Sequence, residues 1–313
     1  MHDWGQRDVR WRGIRSETVR VDDTDVHLLR ADDEGQGDGL PRLLVHGLGG
    51  AALNWLDVIG GLASGGPVVA MDLPGFGMTE PPHPHAPRMF PQVSFLHRLV
   101  DRLQWPQFEL HGNSMGGLIG TLFAARYPDR VARLVLVNPV MPFAPSPGGT
   151  SPTALVRFAP FVSRHLGHAA IRARWRDAVG ADVYDETLAI VLGEAGRIRP
   201  PLREAAIENT EFGLRTAWRQ RSLATASSNL VYATIRAPLR QAVAGVRAPT
   251  LLVWGERDRL VSRAMIERAA RRRPDWTRID LPRVGHAPML EVPDRYLAIV
   301  GDWRRDLLTA GTA

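Results

Sequence analysis

Short apolar runs alternate with longer amphipathic stretches in the first half of the chain and again near its end. The runs are rich in Leu and Val and end in Gly, Pro, Asp or Asn, which predicts buried strands. These strands are predicted at residues 43–46, 68–71, 108–111, 134–138, 250–254 and 278–281. The stretches between them predict helices at residues 51–63, 90–103, 115–126, 263–272 and 293–308. A repeated strand–helix–strand order predicts an α/β fold with a mostly parallel central sheet flanked by helices.

Two segments depart from this alternation. Residues 18–29, interrupted at Asp22-Asp23-Thr24, alternate like a hairpin and predict an antiparallel edge. After about Met141 a Pro/Gly/Ser-rich passage leads into a helical pattern without a strand, which lasts to about Ala244. Because the strand pattern resumes afterwards, we expect a core of residues 1–140 and 245–313 and an inserted helical cap at 141–244. The alternative is a separate helical domain with a role of its own.

Composition places the chain among ordinary globular proteins. Hydrophobic residues make up 44% and charged residues 23% of the 313 residues. The chain has no cysteine, which excludes disulfides, thiolate metal sites and a cysteine nucleophile. No apolar run reaches the roughly 18 residues of a membrane-spanning helix, and the polar start is unlike a signal peptide. We therefore expect a cytoplasmic protein without stable membrane insertion; the oligomeric state is not indicated.

The net charge of +6 raises the question of a nucleic-acid partner. Every basic residue is arginine, however, and the arginines are scattered, with one triple at Arg271-Arg272-Arg273 near a predicted helix end. We expect no nucleic-acid binding because no basic face is concentrated. His83-Pro84-His85 has metal-ligand spacing, but it lies in a Pro-rich loop without a nearby carboxylate, so we expect no metal there.

The run Gly112-Asn113-Ser114-Met115-Gly116 is the strongest candidate for chemistry. It follows a predicted strand and opens a predicted helix, which is the setting that a Gly-x-Ser-x-Gly nucleophile turn requires. A Cβ at position 112 or 116 would collide with neighbouring backbone. The first N–H groups of the helix add positive potential where an oxyanion would form. Ser114 is therefore the predicted nucleophile.

A serine hydroxyl needs a base to take its proton, and ten histidines compete for that role. His286 follows the last predicted strand, in a loop that can reach the carboxyl edge of the sheet. Asp258, in the loop after residues 250–254, is the carboxylate that we expect to orient the imidazole. Glu256 and Asp280 are rivals, although Asp280 lies inside a strand pattern and points away from the loop face.

The chain resembles the α/β-hydrolase superfamily over nearly all of its length, the cap being the variable part. Four motifs carry the resemblance, in the order that the family has them. They are His46-Gly47-Leu48-Gly49-Gly50, Asp72-Leu73-Pro74-Gly75-Phe76-Gly77, the Ser114 turn, and the paired loops Gly255-Glu256-Arg257-Asp258 and Gly285-His286-Ala287-Pro288. The order serine, acid, histidine is also that of the family.

The resemblance implies an oxyanion hole formed by the backbone N–H groups of Leu48 and Met115. It also implies scaffold roles for His46 and for the Asp72 loop. Together with the triad, this predicts a serine carboxylesterase or lipase that forms an acyl-enzyme and needs no cofactor or metal. The expected partner is a small-molecule ester with an apolar acyl group, because some aromatic side chains of the insert could line an acyl pocket.

Other activities of the same fold stay open. The turn at Ser114 resembles that of carbon–carbon bond hydrolases of meta-cleavage pathways, but their catalytic histidine is usually followed by tryptophan, where this chain has Ala287. Their oxyanion loop also usually carries more glycine and a proline. Thioesterase, acyltransferase or perhydrolase activity is a further alternative. A non-catalytic ligand-binding member is the remaining one, and such proteins usually lack part of the triad.

Overall fold

The computed structural model describes residues 2–32, 38–142, 159–194 and 196–310. In these residues nine strands form one sheet in the order β1-β2-β3-β5-β4-β6-β7-β8-β9. The strands are β1 (His2–Asp3), β2 (Arg15–Val21), β3 (Thr24–Ala31), β4 (Arg42–Val45), β5 (Val68–Met71), β6 (Phe108–Asn113), β7 (Val131–Val137), β8 (Thr250–Gly255) and β9 (Thr277–Leu281). Strands β4 to β9 pair in parallel, and β1 to β3 are antiparallel, as is the pairing of β3 with β5.

The central strands are buried on both faces, which explains why they read as continuous apolar runs. Their side chains alternate between two hydrophobic clusters, as the period of two requires. In β7, Leu134 and Leu136 belong to one cluster, and Val135 and Val137 belong to the other. The sheet is therefore the middle layer of three.

Helices cover both faces of the sheet. The helices of the described residues are α1 (Leu56–Ala63), α2 (Met89–Arg102), α3 (Met115–Arg126), α4 (Arg164–Trp175), α5 (Gly180–Val191), α6 (Pro200–Arg215), α7 (Ala217–Ile235), α8 (Ala237–Gly245), α9 (Arg263–Arg272), α10 (Pro288–Glu291) and α11 (Pro293–Ala310). Side chains of α2, α3, α8 and α9 join the first cluster, and those of α1 and α11 join the second. No helix among the described residues is long and apolar enough to cross a bilayer.

Helices α4 to α8 lie in sequence between β7 and β8. This is the segment for which we expect a cap, and its division from the core at residues 141–244 stays a prediction. Residues 143–158, at the start of that segment, lie outside the described residues.

The α/β fold, the parallel sheet and the antiparallel hairpin agree with the sequence-based expectation. Three local features differ from it. The predicted helix 51–63 is a 3-10 turn, Ala52–Trp55, followed by α1, and the two-residue strand β1 and the short helix α10 were not predicted. Elements of two to four residues are too short to show a hydrophobic period, which is why the pattern misses them.

Candidate active site

Ser114 lies between the end of β6 and the first residue of α3, in a strained backbone conformation with φ +56° and ψ −115°. Its N–H donates to the carbonyl of Val137 on the neighbouring strand, at 3.0 Å. Its carbonyl accepts from the N–H groups of Leu118 and Val140, at 3.1 and 3.0 Å. The sharp turn is thus held from both sides, and it projects the Ser114 side chain away from the sheet edge.

Gly112 and Gly116 allow this turn to form. A Cβ built on Gly112 would lie 2.4 Å from the carbonyl oxygen of Gly116. A Cβ on Gly116 would lie 2.2 Å from the carbonyl oxygen of Val45, at the end of β4. Backbone atoms cannot move away as a flexible side chain can, so both positions require glycine, as the sequence predicts.

His286 and Asp258 lie together at the carboxyl edge of the sheet. The Nδ1 atom of His286 is 2.8 Å from Oδ2 of Asp258, and both side chains are almost fully buried. The rival carboxylates make other contacts, since Asp280 pairs with Arg278 and Glu256 lies 3.7 Å from Arg263. Of the three candidate acids, the structure brings Asp258 to the histidine.

Asn113 connects the Ser114 turn to the histidine loop. Its side-chain Nδ2 donates to the carbonyl of His286 at 3.0 Å and to the carbonyl of Val137 at 3.1 Å. Within the part of the chain that the structure describes, neither Nε2 of His286 nor the hydroxyl of Ser114 makes a hydrogen bond. The nitrogen that would accept a proton is therefore not engaged by another group of the described residues.

The loop after β4 lies against the Ser114 turn. A Cβ on Gly47 would lie 3.1 Å from Cβ of Ser114 and from Oδ1 of Asn113, so a larger residue would require these neighbours to shift. The N–H groups of Leu48 and Met115 have no acceptor in the described residues, and Met115 is the first residue of α3. An oxyanion hole requires two such N–H groups, and the assignment of Leu48 and Met115 to one stays a prediction.

His46 and Asp72 hold the surrounding loops. His46 is fully buried, its Nδ1 donates to the carbonyl of Gly47 at 2.7 Å, and its Nε2 accepts from the N–H of Leu73 at 3.1 Å. Burial is the main cause that lowers the pKa of His46 below its ordinary value, although Asp72 opposes it. Asp72 accepts from the N–H of Ala52, from the N–H of Met78 and from His27, so both residues bind the loops together.

The sequence reasoning missed Asn138. It directly follows β7, at φ +44°, and its Nδ2 lies 2.6 Å from Oδ2 of Asp258. Its Oδ1 accepts from the N–H of Gly255 at 3.3 Å. Asn138 could have been found because it stands at the carboxyl end of a predicted parallel strand. The carboxyl ends of such strands meet at one edge of the sheet, and Ser114 lies at that edge.

Glu291, the last residue of α10, was also missed. Its buried carboxylate accepts from the N–H groups of Gly285 and Gly193, both at 2.8 Å, and of Glu194 at 3.1 Å, and it pairs with Arg197 at 3.0 Å. One carboxylate thus joins the residue before His286 to the segment that follows α5. A second link is the N–H of His286, which donates to the carbonyl of Val191.

Three aromatic side chains of the insert are only partly buried. Trp175, Tyr184 and Trp218 are half-buried. Phe143 and Phe158 and the side chain of Phe161 lie outside what the structure describes. An apolar acyl pocket therefore stays a prediction.

No group of three or more His, Asp or Glu side chains is placed to hold a metal ion within residues 2–32, 38–142, 159–194 and 196–310. The rings of His83 and His85 are 6.4 Å apart and approach edge to face.

The chain belongs to the alpha/beta hydrolase fold family, whose model matches residues 43–293. This span begins at the second residue of β4 and contains β5 to β9 and all the candidate site residues.

Individual relatives differ in the reactions that their names give. The chain is 40% identical over 107 residues to a 2-hydroxy-6-oxo-2,4-heptadienoate hydrolase of Pseudomonas putida, covering 33% of this chain and 39% of that protein. It is 27% identical over 267 residues to a pimeloyl-[acyl-carrier protein] methyl ester esterase of Aeromonas hydrophila, covering 84% and 95%. The chain thus spans about two fifths of the length of the first relative and nearly all of the second.

Solved structures share the fold. A membrane phospholipase A, described as a bacterial virulence factor, superposes with a TM-score of 0.74 at 25% identity. The superposition covers 96% of this chain and 88% of that one.

Proposed function

We propose that the protein hydrolyses carboxylic esters through an acyl-enzyme intermediate on Ser114. The proposal rests on one observation above the others, the 2.8 Å contact of His286 with Asp258 beside a serine in a strained strand-to-helix turn. A carboxylate that fixes Nδ1 of an imidazole leaves Nε2 as the base. The 27% identity to a named methyl ester esterase over most of both chains supports the same chemistry.

The reaction takes two acyl-transfer steps. His286 accepts the hydroxyl proton as Oγ of Ser114 attacks the ester carbonyl, and Asp258 stabilises the imidazolium. The N–H groups of Leu48 and Met115 bind the oxyanion, and each such donor contributes about 3 kcal/mol to transition-state stabilisation. The alcohol leaves with the proton from His286. Water then attacks the acyl-enzyme with His286 again as base, and Ser114 is regenerated.

Replacement of the nucleophile is the direct test. Ser114→Ala should lower kcat for 4-nitrophenyl butyrate by about 10⁴-fold or more, since one member of a triad accounts for most of its rate. The measurement is steady-state release of 4-nitrophenolate, together with labelling by a fluorophosphonate that reacts only with an activated serine. Wild type should be labelled once, and Ser114→Ala should not be labelled.

Ser64→Ala is the matched control, because Ser64 is exposed and lies at the end of α1. It should keep wild-type turnover and labelling. Ester turnover that survives in Ser114→Ala would exclude the proposed mechanism.

A second candidate is hydrolysis of a carbon–carbon bond. It is supported by the 40% identity to the 2-hydroxy-6-oxo-2,4-heptadienoate hydrolase over a third of this chain. Incubation with a vinylogous 1,5-diketone dienoate and with the nitrophenyl ester distinguishes the two. Cleavage of the diketone without ester turnover would replace the ester proposal, and ester turnover alone would support it.

A further inference from the structure

The end of helix α5 and the residues after it lie directly against the loop of His286. The N–H of His286 donates to the carbonyl of Val191 at 2.6 Å. A Cβ built on Gly285 would lie 2.3 Å from that carbonyl oxygen and 2.4 Å from the backbone nitrogen of Gly193. We call residues 189–194 the clamp segment. Because backbone touches backbone here, a shift of the clamp segment moves the peptide that carries the proposed base.

The loop of Asp258 is bound to the same segment. Arg257 and Arg259 stand on either side of Asp258 in the chain. Nη1 of Arg257 donates to the carbonyl of Gly193 at 3.2 Å, and Nη1 of Arg259 donates to the carbonyl of Ala189. The clamp segment therefore contacts both loops of the triad, the one that carries the acid and the one that carries the histidine.

The carboxylate of Glu291 joins the clamp segment to the histidine loop. Its Oε2 accepts from the N–H groups of Gly285 and Gly193, both at 2.8 Å. Its Oε1 accepts from the N–H of Glu194 at 3.1 Å and from Nη1 of Arg197 at 3.0 Å. The side chain of Glu291 is fully buried, so its oxygens depend on these four donors. One carboxylate thus sets the spacing between the clamp segment and the residue before His286.

We propose that Glu291 is a positioning residue, which holds the imidazole of His286 toward Asp258 through the clamp segment. The proposal rests on the proposed ester hydrolysis, and it makes a part of the insert necessary for that reaction. A catalytic side chain must be held within about 0.5 Å and 10–20° of its productive geometry. Glu291 contributes to this through backbone groups and not by contact with the reacting atoms.

A buried carboxylate could instead stabilise the fold alone, and kinetics separates the two roles. A residue that only stabilises the fold changes the fraction of molecules that are folded, and the folded molecules keep their kcat. A residue that positions the base changes the kcat of the folded molecules and leaves KM almost unchanged, since the substrate still binds. The readout is therefore kcat per folded molecule, with the folded fraction taken from a urea titration followed by circular dichroism.

Glu291→Gln keeps the shape of the side chain and removes half of its acceptors. Whichever way the amide turns, its NH₂ group faces two of the four donors. We expect kcat for 4-nitrophenyl butyrate to fall by about 10- to 100-fold, because misplacement by about 1 Å can cost about 100-fold. KM should change by less than about 2-fold.

Asp57→Asn is the matched control. Asp57 is also a buried carboxylate between the core and the insert, and it accepts from Nε1 of Trp11 at 2.8 Å and from Nη1 of Arg199 at 2.7 Å. Among the described residues it makes no hydrogen bond to the clamp segment or to either triad loop. Its kcat should equal that of wild type. Wild-type kcat in Glu291→Gln, a rise in KM alone, or an equal fall of kcat in both variants would overturn the proposal.

A second variant decides the matter if Glu291→Gln does not fold. Arg197→Gln removes one donor of the Glu291 carboxylate, and Arg197 is a quarter exposed, so the change disturbs the core less. Its kcat should fall by about 3-fold or more relative to Asp57→Asn. An equal kcat in these two variants would then exclude the positioning role.

Failure of the proposed function is scored separately, by a measurement that needs no turnover. The ¹⁵N chemical shifts of the His286 ring report the share of the imidazole that carries its proton on Nδ1, and the signals are assigned by their loss in His286→Gln. If wild type hydrolyses no ester, the ester reaction is excluded and these shifts test the positioning role alone. The Nδ1–H share should be high in wild type and in Asp57→Asn, and lower in Glu291→Gln. A share that is equal in wild type and Glu291→Gln, or already low in wild type, would exclude positioning by Glu291.

Discussion

The carboxylate of Asp258 has every acceptor position engaged. Its Oδ1 accepts from the N–H groups of Leu260 and Val261, at 2.7 and 3.0 Å. Its Oδ2 accepts from Asn138 at 2.6 Å and from His286 at 2.8 Å. Four donors fix the plane of this carboxylate, and with it the orientation of the imidazole. Two of these donors are backbone N–H groups and a third is the proposed base His286. Asn138 is therefore the donor that a substitution can remove alone.

Asn138→Gly should lower kcat for 4-nitrophenyl butyrate by about 10-fold with little change in KM, because one hydrogen bond to a charged group is worth about 1.5 kcal/mol or more. Glycine is chosen because φ at this position is +44°, which glycine adopts without strain. Steady-state kinetics at saturating ester measures the effect.

Gln104→Gly is the control for the backbone part of this change. Gln104 has φ +58° and is exposed after the end of α2. Glycine at this position therefore relieves the same kind of positive-φ strain at a residue outside the candidate site. It should keep wild-type kcat. Equal kcat for Asn138→Gly and wild type would show that Asn138 does not support the reaction.

At the scale of an element, helix α3 distinguishes two kinds of glycine one turn apart. Gly116 faces the end of β4, where an added Cβ would lie 2.2 Å from a backbone carbonyl oxygen. Gly120 faces side chains, and a Cβ there would lie 3.5 Å from Leu110 and Leu134, an ordinary contact. The first glycine is needed for close approach of backbone to backbone, and the second is not.

Gly116→Ala should therefore lower the free energy of unfolding by about 3 kcal/mol or more, through steric overlap that only a backbone shift can relieve. Gly120→Ala should leave it unchanged or raise it by up to about 1 kcal/mol, because alanine restricts the unfolded chain and favours the helix. Urea titrations followed by circular dichroism give both values. A similar loss in the two variants would contradict the steric explanation.

An element can be predicted from the sequence when neighbouring residues determine it, and not when distant residues do. Helix α3 and strand β5 have their predicted bounds, because each is set by a local period and by flanking turn residues. The pairing of Asp258 with His286 was also within reach, because both follow strands that end at one edge. Asn138 could be placed at that edge, but its contact with Asp258, 120 residues away, could not be predicted, and neither could the contact of Glu291 with Gly193, 98 residues away. Such contacts depend on how loops pack, which no local pattern encodes.

Across the whole molecule, the two ends of the sheet carry different polar structures. The carboxyl edge holds the candidate site, and a buried charged cluster lies near the amino ends of β4, β6 and β7. In that cluster Glu109 contacts His111 at 2.6 Å and pairs with Arg304 and Arg133, while Tyr296 of α11 lies 2.6 Å from the other nitrogen of His111. The cluster joins the sheet to the C-terminal helix.

The cluster and the loops of the site make stability depend on pH. Burial is the main cause that lowers the pKa of His111, although Glu109 opposes it, and burial likewise lowers the pKa of His46. Burial by itself would raise the pKa of Glu109, but hydrogen bonds from His111 and Arg304 lower it well below its usual range. The folded protein therefore holds two neutral histidines and a charged glutamate.

Each of these three groups binds protons more readily in the unfolded chain, so stability should rise with pH. As pH falls below about 6.5, the unfolded chain protonates His46 and His111, and each contributes a loss of at most about 1.4 kcal/mol per pH unit. Glu109 adds a further loss below about pH 4.3. Urea unfolding at pH 8, 7, 6 and 5 should show a free energy of unfolding that falls as the pH falls.

His111→Gln should reduce the dependence of the free energy of unfolding on pH by up to the equivalent of one proton. His85→Gln, at an exposed position, should not alter this dependence. A free energy of unfolding that stays constant from pH 8 to 5 would mean that the buried histidines do not remain neutral in the folded protein.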